Sequence, residues 1–121
     1  MVRALFDSNI LIDHLSGVVA ARAEIERYDD PAISLVTLTE VLCGATAREA
    51  SPARAFLAHF AVLDVTPAIA ERAVILRREH RPRTPDAIVW ATAQVEGRLL
   101  VTRGERAFAA DDPGVGAPYR L

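Results

Sequence analysis

The chain has 121 residues, is 51% apolar and carries a formal net charge of −2; this excludes disorder and predicts one domain, residues 1–121, with a real core. No apolar run approaches the roughly 20 residues of a membrane helix, and no basic segment leads a long apolar one as in a signal peptide, so no membrane partner is expected. Cys43 is the only cysteine, which excludes an intrachain disulfide and a cysteine-based zinc site and fits a reducing cytoplasm.

Ala4-Leu5-Phe6 is a short apolar run that breaks at the polar triplet Asp7-Ser8-Asn9. A strand buried on both faces reads this way, and a polar residue at its carboxyl end lies where open parallel sheets collect ligands. Asp7 or Ser8 reads equally well as a cap for the helix that begins near Ile10. From Gly17 to Tyr28, Val18, Ala21, Ile25 and Tyr28 share one helical face. After the turn Asp29-Asp30-Pro31, Ala32 to Val36 reads as a second strand. Thr37-Leu38-Thr39-Glu40 matches a capping box and predicts a helix through Cys43, with Gly44 as its stop. Ser51-Pro52 opens another helix, striped by Ala53, Phe56, Leu57 and Phe60. Ala61 to Val65 is a third strand.

Thr66-Pro67 starts a helix carrying Ile69, Ala73 and Leu76 inward and ending near His80. Thr84-Pro85 starts the next, placing Asp86 in its first turn. Apolar residues cover most of this helix's circumference, so it is expected to be buried, with a second subunit as one candidate for part of the cover; Gly97 ends it. Leu99 to Thr102 is a fourth strand, and Pro118 to Leu121 is placed as an edge strand. Strands alternating with helices predict an α/β fold, a mostly parallel sheet of four to five short strands between helical layers.

Three acids occupy comparable places: Asp7 after the first strand, and Glu40 and Asp86 in first turns of helices. A helix N-terminus favours a carboxylate by roughly 0.3–1 kcal/mol, a sufficient reason for any one of them. Together they mean more, because converging carboxylates repel unless protonated or bridged by a cation. Their oxygens suit Mg²⁺ or Mn²⁺, which can polarise a phosphoryl oxygen and acidify a bound water.

Leu5 to Ile12, Thr37 to Gly44, Thr84 to Ala91, Leu99 to Arg103 and the ending Asp112-Pro113-Gly114-Val115 with Pro118-Tyr119 resemble, in order and spacing, a PIN-domain ribonuclease of the toxin type found in VapBC toxin–antitoxin pairs. The resemblance implies a three-layer PIN-like α/β/α fold, a Mg²⁺ or Mn²⁺ site, endonucleolytic cleavage of RNA, a small antitoxin partner and frequent assembly as a homodimer. It places Asp7, Glu40 and Asp86 on acidic catalytic and metal positions, with Asn9 and Thr102 supporting them. Asp7 and Asp86 then hold the ion, Glu40 holds it or orients the attacking water, and Thr102 fixes Asp7.

One departure stands out: Gly104 and Ala107 occupy places where the family shows polar or acidic residues after the fourth strand. Glu105 is the nearest substitute, equally readable as a solvated acid, and the departure removes the usual ligand for a second ion. Arg81 and Arg83, in the cluster running from Arg77, either hold RNA phosphates or solvate a helix end. All fourteen basic residues are arginine; genome composition explains that most simply. Cys43 reads as a small buried hydrophobe, and His14, His59 and His80 show no metal-ligand spacing. Gly104 and Ala107 motivate an alternative function, a catalytically weak or inactive PIN-like module that binds RNA or protein. A third reading is phosphoryl transfer with Asp7 as nucleophile.

Overall fold

The computed structural model describes residues 2–103, 108 and 112–120. Its elements run β1 (Ala4–Phe6), α1 (Ser8–Leu15), α2 (Val19–Glu26), β2 (Ala32–Ser34), α3 (Leu35–Gly44), α4 (Ala50–Leu57), β3 (Ala61–Leu63), α5 (Pro67–His80), α6 (Thr84–Val95), β4 (Leu99–Val101) and β5 (Val115–Gly116). The sheet order is β3-β2-β1-β4-β5, and every pairing is parallel. β1 is therefore the central strand, and all three of its residues are fully buried.

Alternation along the strands divides the core in two. Leu5, Ala32 and Leu100 pack against Ile69, Ala73 and Leu76 of α5 and against α6, where Trp90 meets Phe108 edge to face at 5.6 Å. Ala4, Phe6, Ile33 and Val101 point the other way, onto α1 to α4. There Phe6 meets Tyr28 and Phe60 edge to face at 5.7 and 6.0 Å. Helices on both faces make the expected α/β/α sandwich. Among the described residues no helix is long and apolar enough to cross a membrane.

The chain changes direction around β1. β2 and β3 lie to one side of it, β4 and β5 to the other, so a crevice opens at the carboxyl ends of β1 and β4. At the opposite end, the buried Arg98 guanidinium donates to the Ala4 carbonyl at 3.2 Å and to the Asp30 carbonyl at 2.8 Å, and pairs with the Asp30 carboxylate at 3.1 Å. This anchor fixes where β1 begins, and so where Asp7 emerges.

Several boundaries depart from the sequence reading. α3 starts at Leu35, capped by Ser34, whose hydroxyl accepts from the Val36 N–H at 3.1 Å. Thr37-x-x-Glu40 is thus inside the helix and is not its capping box. The reciprocal bonding of such a box is found at Thr46 and Glu49, where the Thr46 N–H donates to Glu49 Oε1 at 2.9 Å and the Glu49 N–H to Thr46 Oγ1 at 3.3 Å. The next helix begins at Ala50, just before Ser51-Pro52. Gly44 closes α3 without a left-handed turn; Ala45 is the C-cap, and Cys43 is exposed. β5 is Val115–Gly116, beside β4, and residues 118–120 carry no strand pairing. α6 is buried over most of its surface, but Val95 is exposed.

Thr66 caps α5 as its sequence indicates, accepting from the Ile69 N–H at 3.2 Å. α5 then ends on Arg81 in the left-handed region (φ 58°), an uncommon conformation for a residue with a side chain. Pro82 cannot continue the helix, and α6 restarts at Thr84 with Arg83 at its N-cap. This reversal carries Asp86 to the crevice.

Candidate active site

Asp7 sits at the N-cap of α1 in extended conformation. Its Oδ1 accepts from the Ser8 N–H at 2.8 Å, and its Oδ2 accepts from the Thr102 hydroxyl at 2.8 Å. The choice between capping and chemistry left open by the sequence is thus not exclusive, since one oxygen caps and the other faces β4. The residue is 4% exposed. Its pKa is raised above the ordinary carboxylate value, chiefly by burial and further by the charges of Asp86 and Glu40; the bonds from Thr102 and Ser8 oppose the rise.

Asn9 completes the support on this side. Its Nδ2 donates to Thr102 Oγ1 at 3.2 Å, and its Oδ1 accepts from the Arg103 N–H at 3.2 Å. Glu40, half-buried on α3, reaches the same corner. The Ser8 hydroxyl donates to Glu40 Oε1 at 3.3 Å and lies 3.5 Å from Asp7 Oδ1, which links the two acids through one side chain. Three residues before Glu40, on the same helical face, the Thr37 hydroxyl is buried with no hydrogen-bond partner among the described residues.

Asp86 lies in the first turn of α6, nearly buried. It is gripped by Arg83, whose Nε donates to Oδ2 at 3.0 Å and whose NH2 donates to Oδ1 at 3.4 Å. Arg83 also lies in the field of Glu40 and Asp7, which with Asp86 hold it more firmly in its charged form. Arg81 is exposed at the end of α5. The structure therefore links Asp7, Asn9, Glu40 and Thr102 through hydrogen bonds, with Ser8 as the bridge to Glu40, and places Asp86, held by Arg83, within electrostatic range of Asp7. Glu105, Gly104 and Ala107 lie outside the described residues. His14 stacks on Phe56, His59 is exposed and His80 packs on Trp90, so none joins the acids.

The donors suit a hard divalent ion in kind: they are oxygens, three of them carboxylates, with a buried and mutually repelling negative charge. They are not drawn together into a closed ligand set. Among the described residues no three His, Cys, Asp or Glu side chains are grouped tightly enough to enclose a metal. The Arg83 grip on Asp86 is a physical reason for that openness.

Sequence reasoning missed a second buried cluster beside the first. Asp13, 5% exposed, accepts from Arg103 Nε at 2.7 Å, Arg103 NH2 at 3.0 Å and the Tyr119 hydroxyl at 2.7 Å. The one available signal was the position of Asp13, three residues after Ile10 on the inward face of α1. A separate apolar groove of about 310 Å³, lined by residues including Ile12, Leu15, Val41, Pro52 and Ala53, contains none of the three acids.

Residues 4–112 match the family model described as PIN domain. Ribonuclease VapC10 of Mycobacterium tuberculosis is 39% identical over 106 residues, spanning 81% of this chain and 80% of that protein. Among solved structures, a toxin–antitoxin complex from Klebsiella pneumoniae superposes with a TM-score of 0.91 at 42% identity, covering 98% of this chain and 99% of that one. FitAcB from Neisseria gonorrhoeae, at 19% identity, TM-score 0.79 and coverage of 95% and 97%, shares the fold. This chain belongs to the PIN-domain family, among the VapC-type ribonucleases.

Proposed function

We propose that the chain acts as one PIN-like unit, a Mg²⁺- or Mn²⁺-dependent endoribonuclease and the toxin of a type II toxin–antitoxin pair. The observation that carries this reading is Asp7. It is a buried carboxylate at the sheet's switch point whose hydrogen-bond donors among the described residues are all uncharged, in the field of two further acids. Such a group is expensive to bury for stability alone and is suited to meeting a cation.

In this reading Asp7 and Asp86 hold the ion, and Glu40 either joins them or orients the attacking water. When bound, the ion neutralises charge on the scissile phosphate and lowers the pKa of a water. Thr102 aims Oδ2 of Asp7 by donating to it, and Asn9 holds Thr102 in place. Arg81 and Arg83 offer forked donors to RNA phosphates at the rim. Glu105 follows in sequence as a candidate for further support. The aspartyl-phosphate reading gains nothing from a carboxylate so enclosed, with both oxygens already accepting hydrogen bonds.

An antitoxin partner is supported by the toxin–antitoxin complex among the structural neighbours. The apolar groove between α1, α3 and α4 offers it a surface away from the acids. Self-association as a homodimer is supported by Val74 and Ile75 on α5 and Val95 on α6, all exposed. Exposed, free Cys43 suits a reducing cytoplasm.

Cleavage of total RNA in Mg²⁺, wild type against Asp7→Asn, tests the reading. The variant should lose at least about a thousandfold in rate, consistent with losing a group that acts with the others as a unit, and chelation of the wild type should do the same. Undiminished cleavage by Asp7→Asn would remove the proposal. The open ligand set favours one competing reading, a module that binds RNA or protein without cutting. It predicts RNA retention and no cleavage by the wild type even in excess Mn²⁺.

A further inference from the structure

Arg83 stands where helix electrostatics least favour it. It is the N-cap of α6, at the positive end of the helix dipole. Its side chain is 75% exposed, whereas that of Asp86 is 10% exposed, so the arginine can leave the pair far more easily than the aspartate can. Both carboxylate oxygens of Asp86 are engaged by its fork. Asp7 and Glu40 also lie in its field. One exposed guanidinium thus bonds Asp86 and has the other two acids in its field, no other described cation bonds any of the three, and the acids are not closed into a ligand set.

We propose that Arg83 is the resident counter-cation of this site: it neutralises Asp86 while no metal is bound, and is released to hold an RNA phosphate when Asp86 turns to the ion. The inference rests on the ribonuclease reading of the same acids. It assigns one side chain two effects of opposite sign, because Arg83 competes with a divalent cation for Asp86 and attracts the polyanionic substrate. A surface ion pair that merely trims the end of α6 would have neither effect, and a general rim arginine would have only the second. Arg81, two residues away, exposed and not bonded to Asp86, supplies the comparison.

The test is calorimetric titration of the full chain with MnCl₂ at fixed ionic strength, for wild type, Arg83→Gln, Arg83→Lys and Arg81→Gln. Arg83→Gln should bind Mn²⁺ about three- to tenfold more tightly, the scale expected for removing one nearby charge in a partly solvated site. Arg83→Lys, which keeps the charge but loses the fork, should fall between it and the wild type. Arg81→Gln should stay within about twofold of wild type, since a screened charge outside the contact contributes little. In saturating Mn²⁺, Arg83→Gln should raise KM for RNA several-fold with kcat nearly unchanged. Mn²⁺ binding by Arg83→Gln that is no tighter than wild type, or an equal gain in Arg81→Gln, overturns the counter-cation while RNA cleavage by the wild type would still stand. Absence of Mn²⁺ binding in every variant overturns both readings. Circular dichroism of each variant guards against misfolding, and Arg83→Lys carries the test should Arg83→Gln fail to fold.

Discussion

Helix α1 has a buried carboxylate at each end, and the two are treated in opposite ways. Asp7 precedes its first turn and Asp13 lies in its last. The helix dipole should favour a negative charge at the first place and oppose it at the second, by roughly 0.3–1 kcal/mol each. The pKa shifts run the other way, raised for Asp7 and lowered for Asp13. At Asp13 burial also opposes the charge, but it is outweighed by the hydrogen bonds from Arg103 and Tyr119 and by the arginine's charge. Charge-assisted bonds of this kind contribute roughly 1.5–3 kcal/mol, which decides the matter against the dipole. Among the described residues Asp7 accepts hydrogen bonds only from neutral donors and feels the like charges of Asp86 and Glu40, while Arg83 lies in its field without bonding to it. The comparison separates a carboxylate satisfied within the chain from one left for something outside it.

Substitution should break the comparison most visibly in stability. Removing one partner of a fully buried ion pair costs about 3–5 kcal/mol. The Arg103 side chain is one-third exposed and can rehydrate, so Asp13→Asn should lose about 2 kcal/mol, less than that range. Asp7→Asn removes a charge that burial opposes, so the metal-free protein should melt at the same temperature or higher. Thermal unfolding of both variants without divalent ions checks this pair. A large loss in Asp7→Asn together with none in Asp13→Asn would invert the assignment of roles.

Acidity sharpens the same contrast. The folded pKa of Asp13 lies below its ordinary 3.8, so its contribution is fully present above that value and is lost as pH falls through the folded pKa. For Asp7 the folded pKa lies above 3.8. Its charge therefore imposes no penalty below that value; the penalty grows as pH rises from 3.8 through the folded pKa and is complete above it. In melts across this range, the gap between wild type and Asp13→Asn should close toward low pH. The gap between wild type and Asp7→Asn should open toward neutral pH.

The two carboxylates also differed in how legible they were. β1, β2 and β4 are announced by continuous apolar runs, and Thr66-Pro67 declares the start of α5 by local chemistry alone. Asp7 and Asp86 could be picked out because one follows and the other opens a recognisable element, whereas Glu40 was picked out on a capping signal that the structure overturns, since it lies in the second turn of α3. Asp13 could not, because the meaning of a buried acid depends on its partners, and Arg103 and Tyr119 are 90 and 106 residues away. Arg83 was visible as a rim arginine, but its grip on Asp86 depends on the left-handed turn at Arg81, which no residue type there advertises. The cap of α3 was misplaced because Leu35 and Val36 extend the apolar run of β2 past Ser34, where the helix has already begun. β5 was misplaced because two residues, one of them Gly116, leave no pattern to read.

The smallest expected effect concerns the hydroxyl that completes the satisfied cluster. Tyr119 keeps its proton well beyond the ordinary phenol range, chiefly through burial and then through its bond to Asp13. Its ring packs on the α1–α4 core, so Tyr119→Phe retains that contact and removes only the donor. Arg103 still neutralises Asp13 in that variant, and the loss should be about 1 kcal/mol, near the ordinary value for one hydrogen bond. In an Asp13→Asn background the partner is neutral, and the same change should cost clearly less. A double-mutant cycle by chemical denaturation measures the difference. An equal loss in both backgrounds would mean that the Tyr119 hydroxyl contributes independently of the Asp13 charge, and that Asp13 has its charge balanced by Arg103 without help from Tyr119.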